Sequence, residues 1–133
     1  MELVKLIEFS LFKEDNGELA VFEESLEAIP FSIKRIFNVT SQKDSIRGKH
    51  AHRLCSQILV CSSGSIEVTC DDSINKEIFT LDKPNFGLLV SPGIWAEQKY
   101  LTNNASMTVI CDRLYEANDY ISNYDDFRVF KSF

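Results

Sequence analysis

The sequence predicts an all-β domain, an antiparallel sandwich or barrel with a short helical segment near its C-terminal end. Three observations carry that prediction. Apolar residues recur in short runs with a period near two, the signature of strands half-buried on one face. The gaps between runs are filled by turn-forming residues. No helical stretch of about 10 to 15 residues separates consecutive runs, so the βαβ units of a parallel sheet have no support.

Taken in order, residues 3–9 form the first run, and Asp15-Asn16-Gly17 breaks the chain before a second at 18–23. The third, 33–39, places Ile33, Phe37 and Val39 on one parity. Residues 57–61 and 65–70 are separated by Ser62-Ser63-Gly64, and Asp71-Asp72-Ser73 precedes the run at 77–81. Runs at 86–90 and 106–111, the latter after Asn103-Asn104, bring the expected strand count to about eight or nine. The helical segment is expected around 116–127, where Tyr120, Ile121, Tyr124 and Phe127 would lay aromatic and apolar groups against the outside of the sheets.

At 133 residues the chain suits one domain, 1–133, with a single core. Hydrophobic residues make up 44% and charged ones only 26%, with ten Phe and four Tyr, enough apolar surface to fold without help. Fourteen Lys and Arg against twenty Asp and Glu leave a net charge of -6, which opposes a broad grip on nucleic-acid phosphates. A single small anion remains possible, because a few placed Arg or Lys suffice for it. Met1-Glu2-Leu3-Val4-Lys5-Leu6 lacks the basic and apolar regions of a secretory signal, and no run is long enough to span a bilayer. A cytoplasmic protein with no membrane partner is expected. Cys55, Cys61, Cys70 and Cys111 show no metal-binding spacing and read as buried thiols.

Both histidines of the chain fall in Arg47-Gly48-Lys49-His50-Ala51-His52, one residue apart. In an extended strand alternate side chains share a face, so His50 and His52 point together while Ala51 points away. The pair is then either two surface or hydrogen-bonded core histidines, or two imidazoles converging on one cavity. Gln57 follows after four residues and Gly64 after six more, and this spacing resembles the first motif of the cupin superfamily, small jelly-roll barrels of the cupin-like, RmlC-like kind. Residues 87–95, ending Ser91-Pro92-Gly93-Ile94-Trp95, resemble its second motif. The common cupin metal set of three His and one Glu is not present: Gln57 stands at the carboxylate position and Ala96 where the third His would be. Two imidazoles and an amide make a feeble metal site, and Glu97 is the only substitute nearby. No metal is expected, and the histidines read better as proton carriers near neutral pH.

Four segments narrow the resemblance: Phe31-Ser32-Ile33-Lys34-Arg35; the Arg47 to His52 block; Gln57-Ile58-Leu59-Val60-Cys61 with Gly64-Ser65; and Tyr115-Glu116-Ala117-Asn118-Asp119-Tyr120-Ile121 before Tyr124-Asp125. Together they are similar to the FdtA/QdtA/WxcM-like family of dTDP-4-keto-6-deoxy-D-glucose 3,4-ketoisomerases. The resemblance implies a reaction that moves a ketone from C4 to C3 of dTDP-4-keto-6-deoxyglucose with no cofactor, since the isomers differ only in proton positions. It implies His50 as the base at C3 and His52 as the group handling the second proton. Gln57 would donate a hydrogen bond to the enediolate. Arg35, Arg47 and Lys49 are the candidates for the pyrophosphate, ranked Arg47, Arg35, Lys49, because strand parity sets Arg47 and Lys49 opposite the histidines unless Gly48 or a bend re-aims one. Trp95 would wall the sugar pocket or stack on thymine, or pack in the core. The resemblance also implies a homodimer in which residues 3–9 complete a partner's sheet. The chain departs from many members in carrying Ala96 after the motif Trp and Ile36-Phe37-Asn38 after Lys34-Arg35, which thins the polar network around the sugar. The alternatives are a noncatalytic sugar-nucleotide binder and a metal-dependent cupin enzyme.

Overall fold

The computed structural model describes residues 1–133. Strands β1 (Val4–Glu8), β2 (Ser10–Glu14) and β3 (Gly17–Val21) are followed, after a long connection, by β4 (Arg35–Ser41) and β5 (Ile46–His52). Then come β6 (Gln57–Ser63), β7 (Ile66–Asp71), β8 (Lys76–Leu81), β9 (Phe86–Val90), β10 (Trp95–Tyr100) and β11 (Ala105–Cys111). A 3-10 turn at Ala117–Asp119, the two-residue β12 (Tyr120–Ile121) and helix α1 (Tyr124–Lys131) close the chain.

Ten strands form two five-stranded sheets in the orders β1-β9-β6-β11-β4 and β12-β5-β10-β7-β8, and β2 and β3 make a separate hairpin. Every ladder is antiparallel. The fold class is therefore the one the sequence predicts, a cupin-like jelly roll, with one correction: the sheets face each other as a sandwich and do not close into a hydrogen-bonded barrel. β1, β4, β8 and β12 remain edges.

The gap between the sheets is filled by Leu59, Cys61, Leu88, Val90, Met107, Val109 and Cys111 from one side and Ile66, Val68, Cys70, Leu81 and Tyr100 from the other. The first sheet is covered on its outer face too, where Ile7, Phe9, Ile29, Ile58, Val60 and Ile110 cluster. That second covering explains why residues 57–61 are buried without alternation. The second sheet is backed by α1: Ala51, Trp95, Ile121 and Phe127 pack together, and Ala51 and Phe127 are fully buried.

All eight runs read from the pattern are strands. β2, β5, β10 and β12 are the other four strands and lack that pattern. β10 reads Trp-Ala-Glu-Gln-Lys-Tyr, poor in β-branched residues, yet it lies between β5 and β7 and pairs with both, so tertiary pairing overrides propensity. The expected helix at 116–127 is displaced. Tyr120 and Ile121 pair with His52 and Ala51 instead, and the helix starts where the Asn123 side chain accepts the Asp126 N–H at 3.0 Å. β1 pairs with β9 of its own chain, Val4 opposite Val90. No helix is long and apolar enough to cross a membrane.

Candidate active site

The site is built on β5, and a bulge decides what it contains. Across the β5–β10 ladder His50 faces Ala96, Gly48 faces Glu97 and Arg47 faces Gln98, so Lys49 is an extra residue with no partner. Gly48 and Lys49 both sit at positive φ, 83° and 58°. Gly48 is required here: a Cβ would lie 2.4 Å from Gln98 Oε1 and 2.9 Å from the Ala96 carbonyl oxygen. By inserting one residue, the bulge brings Arg47 back to the His50 side and turns Lys49 out to solvent.

Between the sheets lies a cavity of about 170 Å³. His50, Arg47, Gln57, Gln98, Tyr100 and Tyr120 supply its polar lining, and Phe37, Val39, Leu59, Met107 and Val109 its apolar wall. A larger open groove of about 830 Å³ runs along α1 beside Pro92 and Gly93, outside the sandwich, and contains neither histidine.

His50 and His52 are edge-to-face, with ring centroids 5.1 Å apart, and Tyr120 lies 5.0 Å from the first ring and 4.4 Å from the second. His52 Nδ1 is 2.7 Å from Asp119 Oδ2, both residues being buried, and the Leu54 N–H donates to Asp119 Oδ1 at 2.6 Å. Burial pushes both imidazoles below their ordinary pKa. For His50 the neighbouring His52 adds to the effect; for His52 the Asp119 carboxylate opposes it without reversing it. Asp119 itself is held below the usual carboxylate value: burial works against ionisation, but the His52 contact and the amides of Leu54 and Cys55 outweigh it.

Arg35 shares its strand face with Phe37 and Val39, donates from Nη2 to the Tyr120 hydroxyl and to Cys111 Sγ, both at 3.5 Å, and lies over the Phe37 and Tyr115 rings. Gln57 Nε2 donates to the same sulfur at 3.5 Å. The thiol of Cys55, followed by Arg35 and Gln57, holds Cys111 below the usual thiol pKa despite its burial. Four buried polar atoms have no hydrogen-bond partner: His52 Nε2, Tyr100 Oη and Arg35 Nε, together with Arg113 Nε.

Of the residues singled out in the sequence, His50, Arg47 and Gln57 meet in the cavity, with His52 and Arg35 directly behind its lining. Trp95, Glu97 and Lys49 do not. Trp95 and Glu97 occupy the other face of β10, where the indole N–H donates to Glu97 Oε2 at 3.0 Å and the ring packs on Tyr124 and Phe127. The odd parity of both positions on β10 aims them at α1, whereas Ala96, Gln98 and Tyr100 face inward. Asp119, Tyr120, Gln98 and Tyr100 were not singled out. The first two stand inside the Asp-Tyr-Ile segment and the last two on the parity of Ala96, which is the signal that identifies them.

The residues do not fit a cupin metal set. Ala96 and Gln57 stand where ligands would be, and His52 Nδ1 is engaged by Asp119. The one group of three donors within 4.8 Å, His52, Cys55 and Asp119, is assembled around that same hydrogen bond.

A cupin-like antiparallel sandwich with a histidine-lined cavity between its sheets defines the class. Within that class the chain belongs to the FdtA family, whose model, described as "WxcM-like, C-terminal", matches residues 2–132. A TDP-4-oxo-6-deoxy-alpha-D-glucose-3,4-oxoisomerase of Aneurinibacillus thermoaerophilus is 38% identical over 125 residues, 93% of this chain and 89% of that protein. A crystal structure of a 3,4-ketoisomerase from Helicobacter canadensis superimposes with a TM-score of 0.91 at 32% identity, covering 97% of each chain. The QdtA 3,4-ketoisomerase from Thermoanaerobacterium thermosaccharolyticum gives a TM-score of 0.94 at 31% identity, covering 99% of this chain and 96% of that one. That structure is a histidine-to-asparagine variant in complex with TDP-4-keto-6-deoxyglucose. The chain is an isomerase, a sugar 3,4-ketoisomerase.

Proposed function

We propose that this chain converts TDP-4-keto-6-deoxyglucose to a TDP-3-keto-6-deoxyhexose, and that it does so by proton transfer between carbon and two imidazoles, with no metal and no redox cofactor. The C4 carbonyl acidifies the hydrogen on C3. A base removes that proton, the electron pair forms the C3–C4 double bond and the C4 oxygen takes up a proton, giving the enediol. The C3 oxygen then loses its proton, its carbonyl forms, and C4 receives a proton from the protein. The isomers have the same composition, so two acid/base groups suffice.

The observation that carries this reading is the His50 ring, its pKa pushed down by burial, on the wall of a cavity that Arg47 also lines, with His52 immediately behind. His50 is assigned the proton on C3, and His52 the second proton. Gln57, Gln98 and the Tyr120 hydroxyl supply neutral donors for the enediolate oxygens. Arg47 and Arg35 are assigned the diphosphate, Arg47 lining the exposed end of the site. The binding of TDP-4-keto-6-deoxyglucose by a relative of 31% identity supports the substrate. We also take the active form to be a cytoplasmic homodimer, supported by Leu3, Leu6, Phe12 and Leu19, which remain exposed along the N-terminal strands and hairpin.

Incubation with TDP-4-keto-6-deoxyglucose in D2O tests the reading. The expected result is a 3-keto product carrying deuterium at C4, unaffected by a chelator, and a loss of at least about 100-fold in kcat for His50→Asn. Tight TDP binding without exchange would make the protein a noncatalytic binder, as the apolar Phe37 and Ala96 would then suggest. Loss of turnover on chelation, restored by a divalent metal, would overturn the proton-carrier assignment.

A further inference from the structure

We infer that Asp119 is a positioning residue for the isomerisation, fixing the tautomer of His52 so that Nδ1 carries the proton and Nε2 presents the lone pair. The inference rests on the acid/base reading of the histidine pair and adds a residue that the reading alone does not require.

The geometry supplies the reason. An ionised carboxylate only accepts, so the 2.7 Å contact between Asp119 Oδ2 and His52 Nδ1 obliges that nitrogen to carry hydrogen. A neutral imidazole has one N–H, and therefore Nε2 is bare. Nε2 is also buried and without a partner. A buried acceptor left unpaired is costly in a structural histidine, but it is what a group needs if it is to take and return a proton. Asp119 cannot rotate out of the arrangement. Its other oxygen accepts from the Leu54 N–H at 2.6 Å, and the 3-10 turn that carries it leads straight into the β12–β5 pairing of Tyr120 with His52. The charged and titratable groups that face His52 are Asp119, His50, Tyr120, Cys55, Arg35 and, further off, Asp112. Asp119 is the only one in hydrogen-bond contact.

The same keying makes a sharp test. In Asp119→Asn the Leu54 N–H still requires an acceptor, so the side-chain oxygen stays with it and the amide NH2 turns to His52. Nδ1 must then accept, and the proton moves to Nε2. Expected for Asp119→Asn are a fall in kcat of about 10²- to 10⁴-fold, and KM and TDP affinity within about threefold of wild type. The acidic limb of the pH–kcat profile shifts to lower pH, because the imidazolium has lost its counter-charge. Asp119→Glu should recover part of the rate. A merely structural Asp119 would lower thermal stability and leave the limb where it is. Nitrogen-15 NMR of the wild-type enzyme gives a readout independent of any variant: His52 should show a protonated Nδ1 and a bare Nε2 from pH 7 to 8. A wild-type His52 in the opposite tautomer, or Asp119→Asn with unchanged kcat and an unshifted limb, overturns the inference. If His50→Asn and His52→Asn keep full turnover, it is the acid/base reading that fails; if they lose it while Asp119→Asn does not, only the role of Asp119 falls.

Discussion

A side chain that is to take a proton from carbon must be unprotonated when substrate arrives, and burial does this for both histidines before any partner acts. The same burial has a cost that can be measured without substrate. In the unfolded chain each imidazole titrates near its ordinary 6.5, and in the folded chain lower. Between those values the unfolded state binds more protons, so stability is full above 6.5 and is lost as pH falls below it. The slope approaches about 1.4 kcal/mol per pH unit for each histidine inside its window. Urea midpoints at pH 7.5 and 5.5 should therefore differ, the protein being weaker at pH 5.5, and His50→Gln should reduce the difference. An equal difference in the variant would mean that His50 titrates as it does in water. The parity of His50, Ala51 and His52 was readable in the sequence because a period of two is a property of any strand. The bulge was not, because nothing local says that Lys49 adopts φ 58°. That is why Arg47 could be ranked first among the cations without its route into the cavity being known. For Trp95 and Glu97 the motif does not say which face of β10 looks inward; of the two readings open for Trp95, packing in the core is the one the structure shows.

Among the elements, α1 lies outside the sandwich yet bears on the site. Phe127 is fully buried against Ala51, the residue between the two histidines, and against Trp95 and Ile121. Helix docking thus holds β5 from behind while its other face carries His50 and His52. Phe127→Ala should cost about 3 to 5 kcal/mol, with a fall in kcat as β5 loosens. Asn123→Ala, which removes only the cap on the Asp126 N–H, should cost about 1 kcal/mol and leave kcat near wild type. Denaturant unfolding of the two variants checks this, and a Phe127→Ala no worse than Asn123→Ala would mean that the helix is not docked. Strands with their own apolar alternation, such as β7 and β11, were legible. β10 and β12 were not, since the partners flanking them supply the strand pairing that their own residues do not encode. The helix was misread by eight residues at its start for the same reason: residues 120–121 are claimed by β5, and the chain becomes helical only after Asn123.

For the molecule as a whole, the net charge of -6 has to be reconciled with an anionic substrate. At physiological ionic strength the Debye length is about 8 Å, so a diphosphate at the cavity responds to the nearest charges and hardly to the total. Arg47 lines the cavity and Arg35 lies behind Tyr120, while Lys49 faces solvent on the far side of the bulge. Local attraction therefore outweighs global repulsion, and TDP should bind in spite of the acidic surface. A ligand present at about 100 times its Kd adds about 2.7 kcal/mol to the folded state, which for a domain of this size raises Tm by several degrees. The expected order of protection in a thermal melt is TDP above UDP, with free sugar lowest. Arg47→Ala should abolish most of the TDP shift while leaving the ligand-free Tm within about 2 °C, because the residue is exposed and its contribution to the β5–β10 ladder is through the backbone, which alanine keeps. Lys49→Ala should leave the TDP shift intact. If Lys49→Ala removed the shift and Arg47→Ala kept it, the bulge would be aiming the wrong cation, and the assignment of the diphosphate to the cavity side of β5 would have to be abandoned.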